Sequence, residues 1–140
     1  MDISPTAVAS ARAELDSTGD AAAAQVEVVC ADFFALEGRF DYIWDCTFLC
    51  ALDPSVRTRW AEKQRALLAP TGTLVTCVFP ICDKSGGPPF AMSVPLVRDL
   101  LTPAGLRAVR THECATDEKH NPGGMAGAGG PGTTLVAWQV

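Results

Sequence analysis

The sequence predicts an α/β fold in which helices alternate with strands and the chain closes in an antiparallel pair. Three observations carry this. Short apolar runs recur between helix signals, at Val26 to Cys30, Phe40 to Asp45 and Thr73 to Phe79. The runs are continuous rather than alternating, as expected of strands covered on both faces. Two later strand-like stretches, Leu106 to His112 and Thr133 to Val140, then follow one another with no helix between them.

Taken in order, Ser4 followed by Pro5 reads as an N-cap and first helical position. Val8, Ala11, Arg12 and Leu15 continue that helix to a stop near Gly19. Val26 to Cys30 is read as a buried strand. Gly38 turns the chain into Phe40 to Asp45, read as a second. Asp53 caps a helix that opens with Pro54 and places Val56, Trp60, Leu67 and Leu68 inward. Arg57, Arg59, Lys63 and Arg65 read as its solvated face. Pro70-Thr71-Gly72 stops this helix ahead of the third strand. Residues Pro80 to Ser93 form a long loop, a length that often marks function. Ser93 caps a short helix over Val94 to Leu101, and Pro103 and Gly105 turn into the closing pair. Residues 121–132 are glycine-rich and read as a flexible insert. There is no internal repeat.

With 140 residues the chain is expected to form one domain, spanning 1–140. A balance of 11 basic against 16 acidic residues, net −5, argues against nucleic acid as a partner. No apolar run approaches the ~20 residues a bilayer-spanning helix needs, and the first residues lack the features of a signal peptide. The six cysteines include no C-x-x-C pair, and His112 and His120 stand apart from each other in sequence. They read as reduced packing residues of a cytoplasmic protein, with zinc as the second reading and no metal site expected.

Three carboxylates follow or flank apolar strand-like runs: Asp2, Asp32 and Asp45. In open α/β sheets ligands sit outside the carboxyl ends of the strands, so the three together point to a nucleoside-like ligand. Asp2 resembles the last residue of a strand that the sequence does not supply. No G-x-G-x-x-G motif precedes a helix, which disfavours a nicotinamide-dependent reading.

The phrases DISPTAVASARA, VVCADFF, FDYIWDCTFLCALDP, RTRWAEKQRALLAPTGTLVTCVFP and GGPPFAMS, in this order, resemble the S-adenosylmethionine-dependent thiopurine methyltransferase superfamily. They are most similar to its thiol and halide methyltransferase branch. The resemblance implies a Rossmann-like class I methyltransferase sheet with a carboxyl-terminal antiparallel hairpin, lacking the first strand and the glycine-rich turn. It implies S-adenosylmethionine as cofactor and methyl transfer to a small thiol, thiocyanate or halide. By the same resemblance, Asp2 accepts from the ribose hydroxyls with Ile3 beside the adenine. Asp32 accepts from the adenine amino group, and Phe33 packs on the ring. Asp45 and Cys46 face the methionine part, where many relatives have a tyrosine in place of Cys46. Thr47, Phe48 and Cys50 line the acceptor wall, and Pro88 and Phe90 belong to a loop covering it. No catalytic base is expected, because the acceptors are good nucleophiles once ionised and desolvated. The chain is expected to be a monomer. It also reads as amino-terminally truncated, and the alternative is an inactive remnant acting as a binding module or without function.

Overall fold

The computed structural model describes residues 1–120 and 131–140. The glycine-rich insert expected at 121–132 therefore lies outside the described residues, except for Pro131 and Gly132. The chain divides into two compact units, residues 1–38 and 39–140.

In the first unit, helix α1 spans Pro5–Ser17. Ser4 caps it, its hydroxyl accepting from the Ala7 amide at 3.3 Å, and Pro5 occupies the position whose N–H would go unused. The expected strand at Val26 to Cys30 is not formed. One parallel bridge, Asp2 with Cys30, is its only ladder contact among the described residues, and Val26 is 54% exposed. Strand propensity here meets one paired residue and no continuous neighbour, so no ladder propagates.

The second unit holds a four-stranded mixed sheet in the order β1-β2-β4-β3. Its strands are β1 Phe40–Cys46, β2 Leu68–Ile81, β3 Arg107–Glu113 and β4 Gly132–Gln139. β1 runs parallel to β2, while β4 is antiparallel to both β2 and β3. The antiparallel closing pair is as expected. The last strand also enters the sheet between β2 and β3 rather than extending its edge.

Helix α2, Arg57–Leu67, connects β1 to β2, and α3, Val94–Leu101, follows β2. The Ser93 hydroxyl caps α3 by accepting from the Leu96 amide at 3.2 Å. The core is Trp60, Leu67, Leu68, Leu74, Val97, Leu101, Val136 and Trp138, all almost fully buried. Among the described residues no helix is long and apolar enough to cross a membrane.

Three further readings are corrected. Leu68 opens β2 instead of closing the helix, and Pro70-Thr71-Gly72 lie within the strand. The register explains how: Phe40 pairs with Leu68 and Tyr42 with Thr73, so the proline falls in a ladder irregularity where no amide bond is demanded of it. Second, β1 is not covered on both faces. Phe40, Tyr42 and Trp44 are 41%, 81% and 58% exposed, because β1 is an edge strand and only the Ile43 and Asp45 side is covered. Third, Arg57 is buried rather than solvated.

Gly72 sits tight against the start of β1. A Cβ there would lie 2.9 Å from the Phe40 carbonyl oxygen and 3.0 Å from that of Asp41. Gly72→Ala should therefore lower the unfolding free energy by about 1–3 kcal/mol, as overpacking does. Urea denaturation checks this; an unchanged midpoint would show that the strands separate without cost.

Candidate functional site

The residues singled out from the sequence fall into two groups, one in each unit. In the first unit the parallel bridge between Asp2 and Cys30 makes both segments leave in the same direction. The Asp2 amide donates to Val29 O, and the Ala31 amide donates to Asp2 O, each at 3.0 Å. Asp2 and Asp32 thus emerge at one end of a short parallel pairing. Both carboxylates are exposed and each organises its own turn. Asp2 Oδ1 accepts from the Ser4 amide and Asp32 Oδ1 from the Phe34 amide, both at 2.8 Å. Ile3, between Asp2 and the helix cap, is 71% exposed. Phe33 is buried, with Phe34 edge-on at 5.3 Å.

In the second unit β1 delivers Asp45 into the interior. Its Oδ2 accepts from Trp60 Nε1 at 2.8 Å and Gln64 Nε2 at 2.9 Å, and its Oδ1 from the Leu49 amide at 3.4 Å. Trp60 and Gln64 are one helical turn apart on α2, so one face of that helix presents both donors. Burial pushes the Asp45 carboxyl above its ordinary value, and the three donors only partly offset the lost hydration. Sequence reading found the acid but missed its holders. The available signal was a glutamine at i+4 from a core tryptophan, too polar for that face unless it had a partner.

The chain then turns sharply. Thr47 has φ +59°, a left-handed conformation that a β-branched residue adopts only when its surroundings enforce it, and its hydroxyl donates to Cys46 O at 2.7 Å. Phe48 is half-buried and Cys50 buried, the Cys50 thiol donating to Thr47 O at 3.4 Å. Burial, and after it the nearby Asp45, raises the Cys50 thiol.

The loop after β2 returns to this turn. The Phe90 amide donates to Cys50 O at 2.7 Å, and the Arg57 guanidinium stands 5.1 Å over the Phe90 ring while reaching Leu52 O at 3.4 Å. Gly87 has no room for a side chain, since a Cβ would meet the Phe90 ring at 2.5 Å. Pro88 is exposed. The expected acceptor residues Thr47, Phe48, Cys50 and Phe90 are therefore brought together, with Pro88 on the surface of the same loop. Beneath them is a small cavity of about 10 Å³, about the space of one water, lined by Asp45, Thr47, Cys50, Thr76, Cys77 and Met92 among others.

The family model described as thiopurine S-methyltransferase (TPMT) matches residues 1–127. The chain belongs to this family. It is 40% identical over 111 residues to probable thiol methyltransferase 2 of Arabidopsis thaliana, covering 78% of this chain and 48% of that protein. It is also 40% identical over 84 residues to thiocyanate methyltransferase 1 of Brassica oleracea, covering 59% and 37%. The chain thus spans about half or less of the relatives it matches. Among solved structures, the glycopeptide N-methyltransferase MtfA, complexed with (S)-adenosyl-L-methionine, superposes with a TM-score of 0.75. The identity is 15%, over 99% of this chain and 75% of that one. The [4+2]-cyclase SpnF superposes with a TM-score of 0.70 at 16% identity, over 97% and 63%. These likenesses show a methyltransferase-type α/β fold, and the cyclase shows that the fold alone does not fix the reaction.

One further cluster lies beyond Cys77, on the β3 side of the sheet. His112, Cys114 and Glu118 bring their ligand atoms within 4.8 Å of one another. Glu118 already accepts from the Ala115 amide at 2.8 Å and pairs with His112 at 2.9 Å, which together hold its carboxyl below the usual range.

Proposed function

We propose that this chain is part of an S-adenosylmethionine-dependent methyltransferase domain, acting on a small thiol, thiocyanate or halide. The observation that carries the reading is the docking of the Gly86 to Phe90 loop on the Asp45 to Cys50 turn, through Phe90 and Cys50. That docking joins the two stretches the family relationship assigns to the acceptor side. The 40% identity to proteins named thiol and thiocyanate methyltransferase supports the choice of acceptor.

The residues present suit an adenosine moiety. Asp2 and Asp32 offer acceptor-only carboxylates at one end of a parallel pairing, matching the two ribose hydroxyls and the adenine amino group. Exposed Ile3 and the ring of Phe33 supply the apolar surfaces. Asp45 and Cys46 belong to the methionyl side, where Asp45 acts by fixing the 45–49 turn through Trp60, Gln64 and Leu49. Thr47, Phe48, Cys50, Pro88 and Phe90 shape the acceptor side.

S-adenosylmethionine, when bound, supplies an electrophilic methyl group on a sulfonium. The protein's task is alignment and exclusion of water; proximity alone contributes up to about 7–11 kcal/mol. The apolar walls of the acceptor side partly desolvate a soft anion, which raises its nucleophilicity. The reading also places the protein in the cytoplasm as a monomer, and six free cysteines support a reducing compartment.

Calorimetric titration with S-adenosylhomocysteine tests the proposal. Saturable binding is expected, and Asp32→Ala should weaken it by about 10- to 150-fold, the worth of one hydrogen bond to a charged group at roughly 1.5–3 kcal/mol. Absence of saturable heat from the unmutated chain would overturn the cofactor assignment. Equal affinity in the variant would remove Asp32 from it.

A further inference from the structure

The functional reading leaves Cys77 unused, yet its surroundings are unusual. Cys46, the last residue of β1, and Cys77, within β2, are register partners. Partners on neighbouring parallel strands project from the same face of the sheet about 4.8 Å apart. That spacing lies inside the window of about 4.4–6.8 Å between Cα atoms that a disulfide requires. The two thiols already interact: burial first, and then Cys46 as charge neighbour and hydrogen-bond partner, push the Cys77 thiol up to about 12. Cys46 is the more accessible of the two, since Cys77 is only 8% exposed. Cys46 Sγ also lies 3.9 Å from His120 Nδ1. The imidazole is held edge-on to Phe79 at 4.8 Å, and the His120 amide donates to Thr133 Oγ1 at 3.2 Å.

We propose that Cys46 and Cys77 form a peroxide-oxidisable pair, in which Cys46 is attacked first and Cys77 resolves it into a disulfide joining β1 to β2. His120 Nδ1 takes the Cys46 proton. The thiolate displaces hydroxide from hydrogen peroxide, giving a sulfenic acid, and the hydroxide leaves as water with that proton. Cys77 sulfur then attacks Cys46 sulfur, the S–O bond breaks, and hydroxide departs with the Cys77 proton as a second water. Two thiols are oxidised and one peroxide is reduced. The bond ties the end of β1 to β2 directly beside the Thr47 turn, so it couples oxidant exposure to the shape of the acceptor side. Cys50 is the rival resolving thiol, but it sits on the turn with its proton directed to Thr47 O rather than in register with Cys46. The chemistry does not depend on methyl transfer.

The experiment treats the full chain, with exposed Cys30 and Cys82 changed to serine to suppress cross-links between molecules, with hydrogen peroxide. Peptide mapping follows with and without dithiothreitol. Expected are the loss of two free thiols, a linked peptide pair containing Cys46 and Cys77, and full reversal by dithiothreitol. Cys77→Ala should instead leave Cys46 as a dimedone-reactive sulfenic acid that proceeds to sulfinic acid. Cys46→Ser should give no linked pair. A Cys46–Cys50 link in the unmutated pair, or free thiols at both Cys46 and Cys77 after peroxide, would overturn the proposal. Because that mapping is done on a chain with both partner thiols intact, the result holds even if Cys77→Ala folds poorly.

Discussion

Asp45→Ala is expected to lower the unfolding free energy by about 2–6 kcal/mol, because it strands Trp60 Nε1 and Gln64 Nε2 in the interior at roughly 1–3 kcal/mol each. Gln64 Oε1 is without a partner and could accept from Trp60 Nε1 after rearrangement, but Gln64 Nε2 would still be stranded. Asp45→Asn separates the hydrogen bonds from the charge. Its carbonyl still accepts from α2, so it should lose far less than alanine. The pH dependence gives a second readout. The folded-state pKa of Asp45 is raised above the 3.8 of the free side chain. Its contribution is therefore most favourable below that value and declines as pH rises through the elevated folded pKa. Asn cannot titrate, so its stability relative to the parent should improve from acid toward neutral pH. Urea midpoints across that range decide the matter; a parallel pair of curves would mean that Asp45 is not ionising out of register with its unfolded form.

Trp138→Ala should cost about 3–5 kcal/mol. Trp138 is fully buried on β4, and its Nε1 donates to Thr76 Oγ1 on β2 at 2.9 Å, fastening the antiparallel strand to the parallel one. Trp138→Phe keeps most of the volume and loses the bond, so its cost should be near 1 kcal/mol. Thermal unfolding of both variants tests this. Equal losses would assign the stability to the hydrogen bond and not to the packing.

What the sequence made legible was local chemistry. Ser4 with Pro5, and Ser93 ahead of Val94, announce helix starts because capping needs only a few adjacent residues. The closing pair was readable from two strand-like stretches without a helix between them. The misreadings came from properties that belong to neighbours. Val26 to Val29 have strand residues but no ladder to join. Phe40, Tyr42 and Trp44 look buried until β1 proves to be an edge. Pro70 and Gly72 signal a break, and the break exists, but it is a register irregularity inside β2. Arg57 looks like solvent-facing charge because nothing nearby in sequence reveals Phe90. At the site, acids at strand ends were visible, whereas Trp60, Gln64 and the His120 to Cys46 approach depend on tertiary placement.

The insertion of β4 between β2 and β3 sets an order of events during synthesis. Cys77 waits for Leu135, and His112 for the same residue, before either finds its antiparallel mate. A ribosome that has delivered everything up to Glu113 has made three of the four strands but only one of their three pairings, β1–β2. β3 remains an orphan segment until residues 132–139 clear the exit tunnel, so the sheet closes only once that later segment has been delivered.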